Sequence, residues 1–300
     1  MAVFIFFAKT KRVSKIRNIL QLVRFKNLII LAGTQLMCYF HIIKWVPENQ
    51  HLRLLPLLLL LLSTLFSAAA GNVINDLFDQ GSDTVDKPSR AERTVKIGAQ
   101  NILKTYLILL FLALITAGVF DYTLSVLWLS IYQLILSPLL FLYSYRLKRW
   151  LLIGNLSVAG LCALSLAIVA FAFDIQNSTE ANYGQVFWYY VGLAFLMTFF
   201  REIVKDIEDI EGDRAVGCKT LPIVLGTQAA VWIAVIPLMG AAFLNLALLS
   251  VPRIAIPAML LFVVQLAIAY RLFKARDKGQ FHSISQWTKW MMLPAMLLLL

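Results

Sequence analysis

Residues 54–83 read LLPLLLLLLSTLFSAAAGNVINDLFDQGSD, an uncharged apolar run that leads into a series of aspartates. The run from 54 to 74 is long enough to cross the hydrocarbon core of a bilayer, which needs about 20 apolar residues in a helix. Inside a bilayer the backbone must satisfy its own hydrogen bonds, so such a run is helical. The stretch therefore predicts a membrane-spanning helix that carries carboxylates to one membrane surface.

The composition agrees with a membrane protein throughout its length. Of the 300 residues, 60% are hydrophobic and only 14% are charged, and the mean hydropathy of +0.78 excludes an ordinary water-soluble protein. Apolar runs predict nine spans, at 28–46, 54–74, 102–120, 124–143, 151–173, 185–203, 229–250, 254–272 and 284–300. We therefore predict an all-α integral membrane protein in which residues 1–300 form one domain and 1–27 form a basic N-terminal segment.

The basic residues orient these spans. The chain has 27 Lys and Arg against 16 Asp and Glu, a formal net charge of +11. With nine spans, all of the basic residues except Lys44, Arg53 and Arg253 fall on the side of the N-terminus. Because cytoplasmic loops hold the Lys and Arg of membrane proteins, we predict a multi-pass protein of the cell inner membrane with a cytoplasmic N-terminus. The same rule explains the positive charge without nucleic acid.

Most of the carboxylates lie in two clusters on that predicted cytoplasmic side. Each cluster directly follows an apolar span, and both contain the spacing D-x-x-D-x-x-x-D. The aspartates concerned are Asp76, Asp79 and Asp83 in the first cluster and Asp206, Asp209 and Asp213 in the second. Offsets of 3, 4 and 7 place the three carboxylates on one face of a helix, where like charges repel. The pattern predicts a bound partner that neutralises them.

Oxygen ligands crowded in this way suit a hard divalent cation, and Mg²⁺ typically uses one or two carboxylates together with phosphate and water. Two such faces opposed across a cavity would bind a diphosphate through metal ions, with nearby Arg and Lys taking up the remaining charge. The alternative is that each cluster is a solvated helix end. Two clusters with identical spacing, each after an apolar span on the same side, favour the metal site. Neither cluster has the loop pattern of an EF-hand.

The motifs resemble those of a known family. Asn75-Asp76-x-x-Asp79-x-x-x-Asp83, followed by Asp86-x-Pro88-x-Arg90, is similar to the first aspartate-rich motif of UbiA-type intramembrane prenyltransferases. The segment Asp206-x-x-Asp209-x-x-x-Asp213-Arg214, leading to Lys219, is similar to the second. This resemblance implies nine helices around a central cavity with a cytoplasmic cap, and an Mg²⁺-dependent transfer of a polyprenyl group from a polyprenyl diphosphate with release of pyrophosphate.

The resemblance also implies roles for individual residues. The implied catalytic carboxylates are Asp79, Asp83, Asp206, Asp209 and Asp213. The implied metal ligands are Asn75, Asp76, Asp79, Asp83, Asp206, Asp209 and Asp213. The implied substrate-binding residues are Asn75, Arg90, Lys148, Lys205 and Lys219. Arg201 departs from the family, which often carries a Tyr there, and Asn155 is a polar residue within a span that could equally form a helix–helix hydrogen bond.

The acceptor is less constrained by the sequence. The segment 201–214 most resembles the branch that prenylates geranylgeranylglyceryl phosphate in ether lipid synthesis, so a lipid-like glycerol acceptor is favoured. An aromatic quinone precursor or a chlorophyllide-type acceptor stays open. A transporter with an acidic gate is disfavoured because transporter sites usually lie near the bilayer midplane. A CDP-alcohol phosphotransferase is disfavoured because its Asp-Gly and Ala-Arg pairs are missing from both clusters.

Overall fold

The computed structural model describes residues 17–43, 54–173 and 181–295, and these contain helices and turns with no β-strand. Numbered in chain order, the helices are α1 Phe25–Ile43, α2 Leu54–Phe78, α3 Gln80–Asp86, α4 Pro88–Ile97, α5 Ala99–Leu124, α6 Trp128–Tyr145, α7 Ile153–Ala172, α8 Ala181–Glu208, α9 Ile210–Ala215, α10 Leu221–Leu225, α11 Thr227–Ala247, α12 Ala255–Lys274 and α13 Lys278–Ala295. The prediction of an all-α protein is confirmed.

Eight helices among the described residues are long and apolar enough to cross a membrane: α1, α2, α5, α6, α7, α8, α11 and α12. Large apolar side chains on the outer helices are exposed, for example Phe111 at 64% and Phe243 at 70%. Exposed apolar surface on this scale fits contact with lipid. The chain is therefore an integral membrane protein. The predicted ninth span corresponds to α13, which begins at Lys278, and residues 296–300 lie outside the described part, so the count of nine stays a prediction.

Several helix ends differ from the predicted bounds, and the end of the third span involves a buried carboxylate. The sequence predicted that the third span ends at 120, next to Asp121, but α5 continues to Leu124. The carboxylate of Asp121 accepts hydrogen bonds from the backbone N–H groups of Leu129 (3.0 Å) and Ser130 (2.8 Å) at the start of α6. Free N–H groups at a helix N-terminus are satisfied well by a carboxylate. Asp121 thus joins α5 to α6.

The helices surround a central cavity. Side chains of α1, α2, α6, α7, α8 and α13 line it, while α5, α11 and α12 pack outside, α5 on α2 and α11 on α8. The largest apolar core joins α8 to α11, α12 and α13, and a second core joins α1, α2 and α7 with the first half of α8. Helix α8 takes part in both cores. This arrangement places the charged end of α8 beside the charged end of α2.

Candidate active site

The central cavity has a volume of about 530 Å³ and two chemically distinct regions. One region is charged and contains the ends of α2 and α8 with the helices that follow them. The other lies between the spans and is lined by apolar side chains that include Leu31, Leu136, Leu140, Val158 and Leu161. An amphiphile with a charged head and an apolar tail matches both regions at once.

The two motifs fold in the same way. In each of them the spanning helix is interrupted at the middle aspartate, where Asp79 has φ −84° and ψ −4° and Asp209 has φ −99° and ψ 16°. Hydrogen bonds of the i to i+4 type continue through the interruption, because the N–H groups of Asp83 and Asp213 donate to the carbonyls of Asp79 (2.8 Å) and Asp209 (3.0 Å). The predicted continuous helix is therefore interrupted in each motif, and the interruption occurs at equivalent positions.

The motif helices α3 and α9 pack directly against each other. A Cβ added at Gly212 in α9 would lie 1.9 Å from Oδ2 of Asp86 and 2.8 Å from the carbonyl oxygen of Ser82, both in α3. A Cβ added at Gly81 in α3 would lie 3.0 Å from the side chain of Val216. Each helix thus uses a glycine where the other approaches, and the two acidic segments meet at one end of the cavity.

The first motif holds its carboxylates with amide and basic partners. Nδ2 of Asn75 donates to Oδ2 of Asp79 at 2.6 Å, and Nζ of Lys148 pairs with the Oδ1 atom of the same aspartate. Arg90 lies 3.4 Å from Oδ2 of Asp83. Burial raises the pKa of Asp83 above its ordinary value, while the charge of Arg90 opposes that effect. All five residues line the cavity.

The second motif faces the same space. Nδ2 of Asn155 in α7 donates to Oδ2 of Asp206 at 2.8 Å, so the polar residue noted within the fifth span both bonds a neighbouring helix and lines the cavity. Nζ of Lys87, from the first motif, donates to Oδ2 of Asp209 at 2.5 Å. Burial and the neighbouring carboxylate of Asp209 raise the pKa of Asp213 to about 6. Among the described residues, Asp209 is therefore the one aspartate of Asp206, Asp209 and Asp213 that forms an ion pair.

The predicted site residues separate into two groups. Those that line the cavity are Asn75, Asp79, Asp83, Arg90, Lys148, Lys205, Asp206, Asp209 and Asp213. Asp76 and Lys219 are not among the cavity-lining residues of the described chain. The carboxylate of Asp76 is fully buried and pairs with Arg24 at 3.0 Å and Arg93 at 3.5 Å, while Lys219 is exposed. The structure thus brings Asp76 to two arginines and away from the other predicted ligands.

The carboxylates fit a metal that is completed by its substrate. Among the described residues, Oδ1 of Asp209 and Oδ2 of Asp86 are buried without a hydrogen-bond partner. Such orphaned oxygens are costly unless a cation or donor meets them. No group of three His, Cys, Asp or Glu side chains in the described ranges converges as a finished metal site. Because Mg²⁺ typically takes one or two carboxylates with phosphate and water, the residues present fit it.

Sequence reasoning missed several members of the site. Asp86 and Lys87 lie inside the first motif, but their spacing did not indicate their contacts with the second motif. Lys87 donates to Asp209, and Asp86 packs against Gly212. Arg24 lies in the basic N-terminal segment, and Glu202 is a buried carboxylate held by Arg201 at 3.1 Å and by Lys205 at 2.7 Å. The signal available for Glu202 was its position one turn before Asp206, on the same helical face.

Comparison with known proteins agrees with this geometry. A profile described as the UbiA prenyltransferase family matches residues 36–290. A digeranylgeranylglyceryl phosphate synthase of Methanosphaera stadtmanae is 33% identical over 238 residues, which are 78% of this chain and 83% of that protein. The enzyme of the same name from Methanobrevibacter smithii is 37% identical over 182 residues, 60% of this chain and 62% of that protein. The match therefore spans just under two thirds of the latter relative.

Solved structures share the fold. A structure described as that of digeranylgeranylglyceryl phosphate synthase in membranes is 26% identical, has a TM-score of 0.68, and the match covers 95% of this chain and 97% of that one. A UbiA homologue from Archaeoglobus fulgidus, bound to GPP and Mg²⁺, is 16% identical with a TM-score of 0.62, and the match covers 94% of this chain and 99% of that one. The latter likeness shows the fold alone.

Proposed function

Because this chain belongs to the UbiA prenyltransferase family, we propose that it transfers a polyprenyl group from a polyprenyl diphosphate to a membrane-associated acceptor and releases pyrophosphate. The observation that carries the proposal is the meeting of the two aspartate motifs, through Gly212 and Lys87, at the charged end of one partly apolar cavity. A prenyl diphosphate has the same division into a charged head and an apolar tail. Each methylene of the tail that is buried away from water contributes about 0.8 kcal/mol to the free energy of binding.

We infer that the acceptor is geranylgeranylglyceryl phosphate and that the product is an ether lipid precursor. Two relatives above 30% identity carry the name digeranylgeranylglyceryl phosphate synthase, and so does a solved structure that matches 95% of this chain. The reaction balances as follows: the allylic C–O bond of the donor breaks, pyrophosphate leaves with the bonding electrons, the glycerol oxygen forms the new C–O bond, and its proton is released.

The basic loops support an orientation in which the charged end of the cavity faces the cytoplasm. Helices α3, α4, α9 and α10 would then form a cap on that side. The connection between α6 and α7, with Arg146, Lys148 and Arg149, belongs to the same side. Cytoplasmic loops carry such an excess of Lys and Arg. The single domain over 1–300 stays a prediction.

We assign the chemistry to residues that line the same cavity. Asp79, Asp83 and Asp209 would hold Mg²⁺, which supplies positive charge to the departing pyrophosphate. Lys148 pairs with Asp79, and Arg90 pairs with Asp83. When the donor binds, both basic side chains would turn from these carboxylates to the phosphate oxygens of the donor. The apolar wall at Leu136, Leu140 and Val158 would hold the tail and exclude water from the allylic carbon. Exclusion of water favours attack by the acceptor hydroxyl over hydrolysis.

A direct assay tests this proposal. Purified protein in lipid nanodiscs is supplied with labelled geranylgeranyl diphosphate, Mg²⁺ and geranylgeranylglyceryl phosphate, and lipid product and pyrophosphate are both measured. We expect equal amounts of the two products, loss of both on addition of EDTA, and no transfer to an aromatic acceptor of the quinone-precursor class. Transfer to the aromatic acceptor alone would refute the inferred acceptor, and release of neither product with any acceptor would refute prenyl transfer.

Paired variants make the assay specific for the motifs. Asp79→Asn and Asp209→Asn each remove one charge from the site, and we expect kcat to fall by about 10²-fold or more, the range found when a preorganised electrostatic contact is removed. Glu92→Gln is the matched control, because Glu92 is exposed on α4 and pairs with Lys96 at 2.7 Å outside the cavity. The control should retain full activity. Equal activity in all three variants would contradict the assignment.

A further inference from the structure

The cavity contains a second charged surface, which is formed at the start of α1 and on α8 and α13. Arg24, Asn27, Arg201 and Lys289 line it, and we call these four residues the portal cluster. Nζ of Lys289 donates to Oδ1 of Asn27 at 2.6 Å, which joins α13 to α1. Nε of Arg201 donates to the carbonyl oxygen of Ser285 at 3.3 Å, which joins α8 to α13. Ser285 and Lys289 are one helical turn apart and share a face.

The charge balance at the portal cluster is the reverse of that at the motifs. At the motif end each of the cations Lys87, Arg90 and Lys148 is paired with a motif aspartate. In the portal cluster the ammonium of Lys289 instead meets the neutral amide of Asn27. Two carboxylates do face the cluster: Asp76 pairs with Arg24, and Glu202 pairs with Arg201.

Those two carboxylates do not neutralise the cluster, because each also serves a second cation. Asp76 also pairs with Arg93, and Glu202 also pairs with Lys205. In addition, Nε of Arg24 is buried without a hydrogen-bond partner among the described residues. Arg24 adopts a left-handed backbone conformation, φ 54°, in the turn that begins α1. Strained backbone of this kind persists where the surroundings over-determine it, and it clusters at functional sites.

We propose that the portal cluster binds the phosphate group of the acceptor directly, without a metal ion. The proposal rests on the proposed function and deepens it: the cavity would hold two anionic heads, the donor diphosphate on Mg²⁺ at the motifs and the acceptor phosphomonoester on Lys289, Arg201 and Asn27. An arginine binds phosphate in a planar, bidentate way, and a lysine adds a point charge. The guanidinium of Arg201 would then favour a phosphorylated glycerol over a neutral aromatic ring.

The position of the cluster suits a lipid acceptor. Helix α1 packs mainly on α2 and α7, while α13 packs mainly on α8 and α12, and the hydrogen bond between Lys289 and Asn27 joins the two at the cavity wall. Apolar side chains continue from this point into the span, with Leu28 and Leu31 on α1 and Met292 on α13. A phosphate held by Lys289 would therefore leave an attached prenyl chain beside apolar helix surface.

The test measures binding as well as turnover. Binding of geranylgeranylglyceryl phosphate and of geranylgeranyl diphosphate to nanodisc-embedded protein is measured in EDTA and in Mg²⁺ by intrinsic fluorescence. We expect the acceptor to bind in EDTA and the donor to require Mg²⁺. Lys289→Gln and Arg201→Gln should each raise the Kd of the acceptor by about 10- to 100-fold, the loss expected for one charge-assisted hydrogen bond, while the Kd of the donor in Mg²⁺ stays within about twofold.

Two controls separate a phosphate site from a structural effect. Lys289→Arg keeps the charge and should retain acceptor affinity, and Lys104→Gln removes an exposed lysine on α5 that does not line the cavity and should change nothing. With geranylgeranylglycerol, which lacks the phosphate, wild type and Lys289→Gln should bind equally weakly. Melting temperatures in detergent identify any variant that fails to fold, and then Lys289→Met, which keeps most of the side-chain length, replaces it.

The outcomes are distinct. Unchanged acceptor affinity in Lys289→Gln and Arg201→Gln, or an equal loss of donor affinity, would overturn the portal cluster as an acceptor site even if the wild-type protein forms the ether lipid. If wild-type protein transfers no prenyl group to any glycerol phosphate, the proposed function fails and the portal cluster fails with it. An acceptor that binds only when Mg²⁺ is present would also overturn direct binding of its phosphate.

Discussion

Substitution of Gly212 by Ala should separate the two motifs without removing a charged group. The new Cβ would lie 1.9 Å from Oδ2 of Asp86, 2.7 Å from its Cγ and 2.8 Å from the carbonyl oxygen of Ser82. Rotation of the Asp86 carboxylate clears the first contact but leaves the backbone oxygen of Ser82 in place. Ordinary contact begins near 3.4 Å, so α9 must move away from α3 by about 0.6 Å for the backbone oxygen alone and by up to about 1.5 Å if Asp86 does not rotate.

A displacement of this size predicts a large kinetic effect. Misplacement of reacting groups by about 1 Å can cost about 10²-fold in rate, so we expect kcat to fall by 10- to 100-fold. Overpacking at the contact should also lower the free energy of unfolding by about 1–3 kcal/mol. The assay measures prenyl transfer at saturating donor across a range of Mg²⁺ concentrations, with thermal unfolding in detergent measured in parallel. The apparent affinity for Mg²⁺ should weaken, because the proposed Mg²⁺ ligands Asp79 and Asp83 come from one motif and Asp209 from the other.

Gly160→Ala is the matched control for this experiment. Gly160 lies in α7, and a Cβ at that position would meet nothing within 4 Å. Alanine is favoured over glycine within a helix by about 1 kcal/mol, so the control should be as active as wild type and slightly more stable. Turnover and Mg²⁺ dependence in Gly212→Ala that match those of Gly160→Ala would refute the argument that contact between α3 and α9 sets the geometry of the site.

Three further predictions follow from the contacts of single residues. Asp76→Ala should lower the free energy of unfolding by about 3 kcal/mol because it leaves two arginines without their buried partner, whereas Asp79→Ala should abolish transfer and preserve the melting temperature. Lys87→Ala removes the cation that pairs with Asp209, which makes the site more negative, so the KM for the anionic diphosphate donor should rise several-fold. Lys96→Ala breaks an ion pair on the surface and should leave the KM unchanged. Since the pKa of Asp213 is raised to about 6, protons compete with the metal ion for this carboxylate below that pH. The apparent affinity for Mg²⁺, measured by Mg²⁺ titration of prenyl transfer, should therefore fall by up to tenfold per pH unit from pH 6 to pH 5. An affinity that does not depend on pH would contradict a ligand role for Asp213.

Most of the membrane-spanning helices could be located from the sequence. Hydropathy alone located the eight spans that the structure describes, because a helix in lipid must be apolar over a fixed length whatever its neighbours are. The exact ends of the helices were harder to predict from the sequence. The prediction ended the third span at 120, whereas α5 continues to Leu124, and only the structure showed that the carboxylate of Asp121 accepts hydrogen bonds from the backbone of Leu129 and Ser130.

The candidate site was also only partly predictable from the sequence. The repeated spacing of the two motifs, and the apolar runs before them, made the matching carboxylates recognisable from the chain alone, since spacing fixes which side chains share a helical face. Spacing does not fix which neighbour that face meets. Asp76 and Asp79 are three residues apart, yet one is buried between arginines and the other lines the cavity.

Contacts across long separations were decided only by the tertiary structure. Lys87 meets Asp209, Arg201 meets Ser285 and Lys289 meets Asn27, although each pair is far apart in the chain. The sequence determined that carboxylates would collect at one membrane surface, because hydropathy and the distribution of charge are properties of the chain itself. Packing determined which carboxylates face the cavity and where cations without matching anions remain, because those properties depend on how helices distant in sequence approach one another.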